Sequence, residues 1–576
     1  MFQIDRFDFK TESLDEISTL RHWGSDVGKN WPVVYIINND KEAYVGETVS
    51  AYQRFDQHLK NPDRCRLTEV RILSDKDFNK SVTLDLESFL IRHMASDGKY
   101  KLQNGNGGLQ NHAYYDRNEY ENRFKELWNK LRQLHVVDNT ISEIENSELY
   151  KYSPYKCLGE EQIKAEREIV KAIAEYTGEG HRASIVVRGG AGTGKTILAI
   201  YLMKLFVDLK DENPLDDPSI YDILEEDAES VYVAESIRGL QKIGIVMPQK
   251  SLQSSIKTVF SSISSLSPDM VLSPAEVVKN VVRTGVPYDL LIVDESHRLK
   301  CRDKGHLANY RVFDQCNSML GLDPVMGTEL DWIMQCSHNQ ILFRDELQTV
   351  RPCDIDAKRF HDIVWGDLSA TVLEAPLSTQ WRCEGGNDYI EYIKRILSGI
   401  DQEMIVIDNY DLRLYTNCAQ MVADIKKKNS ELGLCRVVAG YAWPWDRKHV
   451  EELTINIQGE KYQWNTTYNN WIVKDSAINE IGCIHTVQGY DLNYVGVIIG
   501  EDIQYDPIKK CIIANKNNYY DQQGKSGVAN DPDALCQYLC NIYLTLLTRG
   551  IKGTYIYICN NELREYFAKY IPLVNG

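Results

Sequence analysis

Residues 184–196 read SIVVRGGAGTGKT: an apolar run passes directly into GGAGTGKT. A buried strand feeding a glycine-rich loop and then a helix predicts a phosphate cradle. Gly189, Gly190, Gly192 and Gly194, with Ala191 and Thr193 between them, let the backbone bend until successive N–H groups face phosphate oxygens. Lys195 brings a point charge to the β- and γ-phosphates, and the Thr196 hydroxyl is placed to coordinate magnesium. The helix that begins here, through Ile197–Ile200, aims its positive end at the anion. The expected ligands are ATP and Mg2+.

About a hundred residues downstream, Tyr288-Asp-Leu-Leu-Ile-Val-Asp294-Glu295 is an apolar strand ending in two carboxylates. At a strand end Asp294 can hold a magnesium-bound water, and Glu295 can polarise the water that attacks the γ-phosphate. From about Leu158 onward, strand-like runs alternate with helical segments: Ile185–Val187, Ile243–Met247, Leu290–Val293 and Ile341–Arg344, then Leu434–Ala439, Val495–Gly500 and Thr554–Cys559. That rhythm predicts an α/β architecture with two mostly parallel sheets covered by helices.

The motif Asp294-Glu-Ser-His-Arg298 begins a resemblance to superfamily 1 helicases, and within them to Schlafen-type helicase-like ATPase domains, over roughly Leu158 to Asn560. Gln162 stands where such enzymes place a glutamine that reads adenine. Asp345-Glu-Leu-Gln348 resembles their third motif, in which the glutamine senses the γ-phosphate. Gln380-Trp-Arg382 resembles the fourth, Ile484-His-Thr486-Val-Gln488-Gly489 the fifth, and Leu544-Thr-Leu-Leu-Thr548-Arg549 the sixth. The resemblance implies two RecA-like parallel-sheet domains, with Arg382 and Arg549 as arginine fingers on the γ-phosphate from the second; a planar guanidinium suits that task. Two departures stand out. His297 and Arg298 replace the usual endings of the second motif, and an insertion, Cys301–Asp331, separates Glu295 from Gln348. Both bear on processive unwinding more than on hydrolysis. The aromatic stretch Gly440-Tyr-Ala-Trp443-Pro-Trp445 offers base stacking or packing around a turn.

Ahead of this region lies a separate constellation. Val33–Ile37 and Ala43–Glu47 flank an Asn38-Asn-Asp40 turn and predict a β-hairpin. The next helix carries Arg54 and His58 one turn apart, on one face. A later helix, Leu84–Met94, carries Glu87. Over about eighty residues, Trp31 to Asn111, this resembles the GIY-YIG nuclease domain, with valines where glycine and isoleucine usually precede Tyr35. The resemblance implies a small α+β fold with Tyr35 and Tyr44-Val-Gly46 as the two signatures. Arg54 would neutralise phosphate charge, Tyr35 or His58 would help deprotonate water, Glu87 would hold a divalent cation, and Asn104 would be the late asparagine.

The expected organisation is a nuclease-like domain over 1–115, a helical connector over 116–157, and RecA-like domains over 158–375 and 376–576. Three to four domains suit 576 residues, and 43% hydrophobic content suits real cores. No apolar run approaches the roughly 18–20 residues that cross a membrane, and the first residues carry no signal-peptide pattern. Fourteen cysteines without CxxC pairs predict reduced thiols and a cytoplasmic setting. The reading is an ATP-driven nucleic-acid enzyme, a metal-dependent endonuclease fused to a helicase-like ATPase, with a role in defence against foreign DNA as its biological corollary. The expected partner is DNA or RNA with a single-stranded segment, and no membrane; a protein partner or a second copy of the chain is a further option. The net charge of −18 leans against nucleic acid, although a local basic groove can survive such a sum. Two alternatives stand: a translocase or remodeller with a non-cutting front domain, and a signalling ATPase with a protein partner.

Overall fold

The computed structural model describes residues 2–104, 107, 117–156, 158–178, 182–190, 192–211, 236–302, 307–345, 353–366, 370–378, 384–400, 403–407, 409–445, 455–467, 471–487, 490–525 and 531–574. The strand Arg182–Gly189 lies within a six-stranded sheet of order Val271–Leu272, Ile243–Val246, Tyr288–Val293, Ser337–Arg344, Arg182–Gly189, Ala370–Leu377. Every neighbouring pair is parallel. A parallel sheet is covered on both faces, so its strands read as continuous apolar runs. Leu290 to Val293 and Ile341 to Phe343 are indeed fully buried, each side chain contributing about 1.5–3 kcal/mol of transfer free energy. The C-terminal ends of three neighbouring strands deliver the phosphate loop, Asp345 and Asp294 to one edge, where open parallel sheets bind ligands.

A second large sheet has the order Ile455–Ile457, Glu460–Trp464, Glu480–Gly482, Cys435–Ala439, Leu492–Ile499, Gly550–Ile558, Asp411–Tyr415, Leu573–Val574. It is parallel apart from the edge hairpin Ile455–Ile457 with Glu460–Trp464. Its core is separate from that of the first large sheet. The chain is therefore α/β with two parallel-sheet lobes.

The front unit is built on a five-stranded sheet, Gln3–Asp8, Glu69–Ser74, Val33–Asn38, Glu42–Thr48, Lys101–Leu102, antiparallel except for the last short strand. Two helices pack on it. Ala51–Lys60 buries Phe55 and His58, and Lys80–Asp97 is capped by the Asn79 side chain on the Val82 amide at 3.1 Å. The capping oxygen satisfies a donor that the first turn would leave unpaired. The inserted segment contributes the helix Leu307–Leu320 and leads into Glu329–Cys336, where Phe313 and Trp332 pack with ring centroids 4.9 Å apart against the first lobe. Among the described residues no helix is long and apolar enough to cross a membrane, and Cys316, Cys336, Cys418, Cys435 and Cys483 are buried free thiols.

Candidate functional site

The phosphate loop leaves its strand with φ at +80° for Gly192 and +78° for Gly194. A Cβ at Gly194 would sit 2.3 Å from Gln162 Nε2, so glycine serves both the turn and the close approach. Gln162, 4% exposed, donates to the carbonyls of Thr193 and Gly194 at 3.3 Å each and accepts from the Gly159 amide at 3.0 Å. It stitches the helix Glu160–Gly178 to the loop. The Thr193 hydroxyl donates to Gly190 O at 3.1 Å. Lys195 Nζ donates to Gly189 O and Gly190 O at 2.8 and 2.7 Å and lies 3.4 Å from Asp345 Oδ2. Ala191 lies outside the described residues.

The Thr196 hydroxyl donates to Asp294 Oδ2 at 2.7 Å. Asp294 is fully buried, and among the described residues its Oδ1 has no hydrogen-bond partner. Burial, and then the charge of Glu295, push its carboxyl up to about 7, against the Thr196 hydrogen bond and the charge of Lys195. A hydroxyl beside a buried carboxylate oxygen without a partner is a donor set that suits a hard divalent cation.

Glu295 takes the left-handed conformation, φ 52°, ψ 43°. For a residue with a side chain this costs about 1–3 kcal/mol and is typical of functional turns. Its Oε2 accepts from Arg298 Nε at 3.0 Å and lies 3.1 Å from His297 Nε2. Burial alone would raise its carboxyl, but the neighbouring His297 and Arg298 hold it well below the usual range. His297 Nδ1 accepts the Asp345 amide proton at 3.2 Å, so the ring's remaining proton sits on Nε2, facing Glu295. His297 thus joins the second motif to the start of the third, and Asp345 carries the link on to Lys195. Sequence reasoning named His297 only as a departure and gave Asp345 no role; the three-residue spacing from Asp294 was the available signal for His297.

A cavity of about 470 Å³ separates the two lobes, lined by Gly190, Thr193 and Asp345 on one side and Asp388, Thr545 and Thr548 on the other. Arg549 does not line it. It is 1% exposed, and its guanidinium donates to Thr545 O at 3.1 Å and Tyr490 O at 3.4 Å, inside the second lobe. In this arrangement Arg549 is back-bonded to the helix Pro532–Leu547 and stays inside the second lobe. Gln348, Arg382, Gln380, Gln488 and Gly489 lie outside the described residues. In the aromatic stretch, Tyr441 is 7% exposed, stacks on Trp464 at 5.7 Å and donates to Cys483 Sγ, which makes it core packing. Trp443 packs edge-on to the same ring and is only partly buried.

In the front unit the structure brings Tyr35, Tyr44, Arg54 and His58 together. Tyr35 pairs with Gly46 across the hairpin, and a Cβ at Gly46 would meet the Tyr35 hydroxyl at 2.3 Å, so the glycine makes room for the Tyr35 ring. His58 Nε2 is 2.7 Å from Tyr35 Oη, and its Nδ1 is 3.1 Å from Arg64 NH1. A guanidinium only donates, so Nδ1 accepts and Nε2–H donates to Tyr35. Burial, then the charges of Arg64 and Arg54, pull the imidazole down to about 2. In this arrangement the ring is buried, with Nε2 engaged by Tyr35 and Nδ1 by Arg64. Tyr35 is also fully buried, which pushes its hydroxyl well above its ordinary value while Arg54, donating to it at 3.3 Å, opposes that rise. Arg64, whose guanidinium lies 4.0 Å from the Tyr44 ring centroid, was missed; it sits beyond the helix and no spacing marks it.

Glu87 lies on the helix Lys80–Asp97 beside Glu47. Burial and the Glu47 charge push its carboxyl up to about 8, with Lys80 opposing. A like charge beside a buried carboxyl disfavours ionising both. Glu47, which pairs with Lys80, was also missed although it directly follows Gly46. Asn104 is 7% exposed and braces the strand Glu42–Thr48: its amide donates to Val45 O at 2.8 Å and its oxygen accepts from Val45 N at 3.1 Å.

Among solved structures the chain is similar to the Pif1 helicase from Bacteroides in complex with ADP-AlF3 and ssDNA, at 12% identity, covering 69% of this chain and 92% of that one with a TM-score of 0.27. It is also similar to the Pif1 helicase from Candida albicans, at 9% identity, covering 72% and 98% with a TM-score of 0.28. The uncharacterized protein YPL245W of Saccharomyces cerevisiae is 25% identical over 414 residues, 67% of this chain and 84% of that protein. The family described as Schlafen group 3, DNA/RNA helicase domain, matches residues 182–560, which hold the phosphate loop, Asp294, Glu295, the first large sheet and all of the second except its edge strand Leu573–Val574. By that match the chain belongs to the Schlafen group 3 DNA/RNA helicase domain family.

Proposed function

We propose that this protein is an ATP-driven nucleic-acid enzyme in which ATP hydrolysis between two RecA-like domains, 158–375 and 376–576, moves or remodels DNA or RNA with a single-stranded segment. The observation that carries this is the 2.7 Å hydrogen bond from Thr196 to Asp294, which joins the phosphate loop to the acidic strand end, with Lys195 and Glu295 alongside. A magnesium ion held by Thr196 and Asp294 would neutralise phosphate charge. Lys195 would exchange its loop carbonyls for the β- and γ-phosphate oxygens, Gln162 would contribute to adenine recognition, and Glu295 would orient and deprotonate the attacking water. Gln348 would sense the γ-phosphate. Domain closure would bring Arg382 to the phosphates, and Arg549 as well once its bonds to Thr545 and Tyr490 open.

The front unit, 1–115, joined by a connector over 116–157, extends the reading. Its arrangement supports a GIY-YIG-like, metal-dependent endonuclease in which Glu87 holds the divalent cation and Arg54 the phosphate. One observation favours a second reading: Tyr35 and His58 are closed to solvent, which suits a module that docks nucleic acid without cutting it. The net charge of −18 favours, for the whole chain, a protein partner in place of nucleic acid.

The test is ATP turnover by the wild type and Lys195→Ala, with Mg2+, in the presence of single-stranded and duplex DNA and RNA, together with the integrity of each nucleic acid afterwards. Stimulated turnover with degradation supports the fused nuclease. Stimulation without degradation supports the docking module, and no stimulation by any nucleic acid supports the protein partner.

A further inference from the structure

The connector between the front unit and the large lobes is anchored to all three. Its helix Arg117–Gln133 is fixed to the front unit, where Arg123 donates to Asp75 Oδ2 at 2.7 Å. Farther on, Asn146 donates to Leu432 O at 3.3 Å and accepts from Asn493 at 3.2 Å, both in the second lobe. Lys151, at the end of the short helix Glu148–Lys151, donates to Asp491 O at 3.0 Å. Asp491 follows the fifth motif by two residues.

Four residues beyond Lys151, Tyr155 is 1% exposed and donates to Asn104 O at 3.0 Å. Its ring lies 5.4 Å from Lys204 Nζ on the helix Lys195–Asp211 that follows the phosphate loop. The same end of the front sheet is pinned to the first lobe by a bridge between Leu102 and Ile263 and by the Ser264 hydroxyl on Leu102 O at 3.1 Å. One turn of chain thus grips the second lobe at Lys151 and the first lobe and front site at Tyr155. Four residues span at most about 13–14 Å, so a change in the angle between the lobes that drives the two grips farther apart than that moves at least one of them.

We propose that Tyr155 is a positioning residue for the front site and Lys151 its link to the second lobe, so that nucleotide-driven closure resets the strand Tyr44-Val45-Gly46 through Asn104. Asn104 holds that strand by both of its amide atoms, so a shift of the Asn104 backbone is passed to Tyr44 and, through Gly46, to the Tyr35 ring. The front site then has two settings, chosen by the nucleotide between the lobes. This rests on the reading that ATP binds residues 189–196 and closes the lobes.

The test is amide hydrogen exchange of the full-length protein with and without a non-hydrolysable ATP analogue and Mg2+, for the wild type, Lys151→Met and Tyr155→Phe. In the wild type the analogue should slow exchange in the phosphate loop and alter it in 43–47 and 101–104. In each variant the loop response should persist and the front-site response should vanish. No loop response in the wild type would overturn the nucleotide reading itself. A loop response without one at 43–47, or a front-site response that survives in both variants, would overturn the relay alone.

Discussion

Glu295→Gln removes one charge and leaves the side-chain shape and the left-handed backbone of this turn in place. Glu295 accepts from Arg298 Nε at 3.0 Å and faces His297; a glutamine oxygen keeps the first contact, so the fold should be unchanged. What is lost is the ability to take a proton from water. General-base assistance is worth about 10²- to 10⁴-fold in rate, so kcat should fall by that factor, equivalent to roughly 3–5 kcal/mol on the barrier. Nucleotide affinity should move the other way. Asp294, Glu295 and Asp345 crowd the site that receives a polyanion, and removing one negative charge lowers repulsion, so Kd should hold or tighten. Because the Glu295 charge helps push the Asp294 carboxyl up to about 7, the variant should also keep Asp294 ionised to lower pH. Phosphate release under saturating ATP gives kcat, and a fluorescent nucleotide titration gives Kd. A kcat within a few-fold of wild type, or a loss of binding that matches the loss of rate, would refute Glu295 as the base.

Lys195→Ala should abolish ATP hydrolysis and weaken nucleotide binding, since Asp294, Glu295 and Asp345 would then face the triphosphate without the ammonium; retained turnover in a phosphate-release assay would contradict the cradle. Glu87→Ala should abolish any Mg2+-dependent cutting and leave ATP turnover intact, and equal cutting by the variant on a gel would reject the metal assignment. His58 tests pH dependence. Its folded-state value is depressed from 6.5 to about 2, so the unfolded chain binds the proton first; the stability it confers is complete above about pH 6.5 and is lost as pH falls. Two pH units below 6.5 the loss is about 3 kcal/mol, so the acid-induced drop in Tm should be smaller by that equivalent in His58→Gln, and identical pH profiles for the two proteins would contradict the buried neutral ring.

The phosphate loop and the acidic strand end were legible because each is a contiguous pattern whose chemistry depends on neighbours in sequence. The parallel sheets were legible for the same reason: strands buried on both faces, such as Leu290–Val293, announce themselves as unbroken apolar runs. Arg549 shows where this stops. Motif order puts it in the second lobe, but the choice between the γ-phosphate and the carbonyls of Thr545 and Tyr490 is made by a rotamer, and sequence carries no rotamer. In the front unit Tyr35, Tyr44, Arg54 and His58 were visible, while the state of His58 was not, because it is decided by burial and then by Arg64, six residues on and outside the helix. The bridge from Leu102 to Ile263 and the hydrogen bond from Tyr155 to Asn104 join segments 161 and 51 residues apart in the chain, and neither leaves a local periodic trace.

The central claim, that residues 189–196 with Asp294 and Glu295 split ATP in the service of moving a nucleic acid, is tested most directly by ATP turnover of the full-length protein with and without single-stranded DNA or RNA. The account predicts Mg2+-dependent hydrolysis that rises several-fold on addition of a single strand and disappears in Lys195→Ala. Turnover that no nucleic acid alters, or that persists in Lys195→Ala, would contradict it.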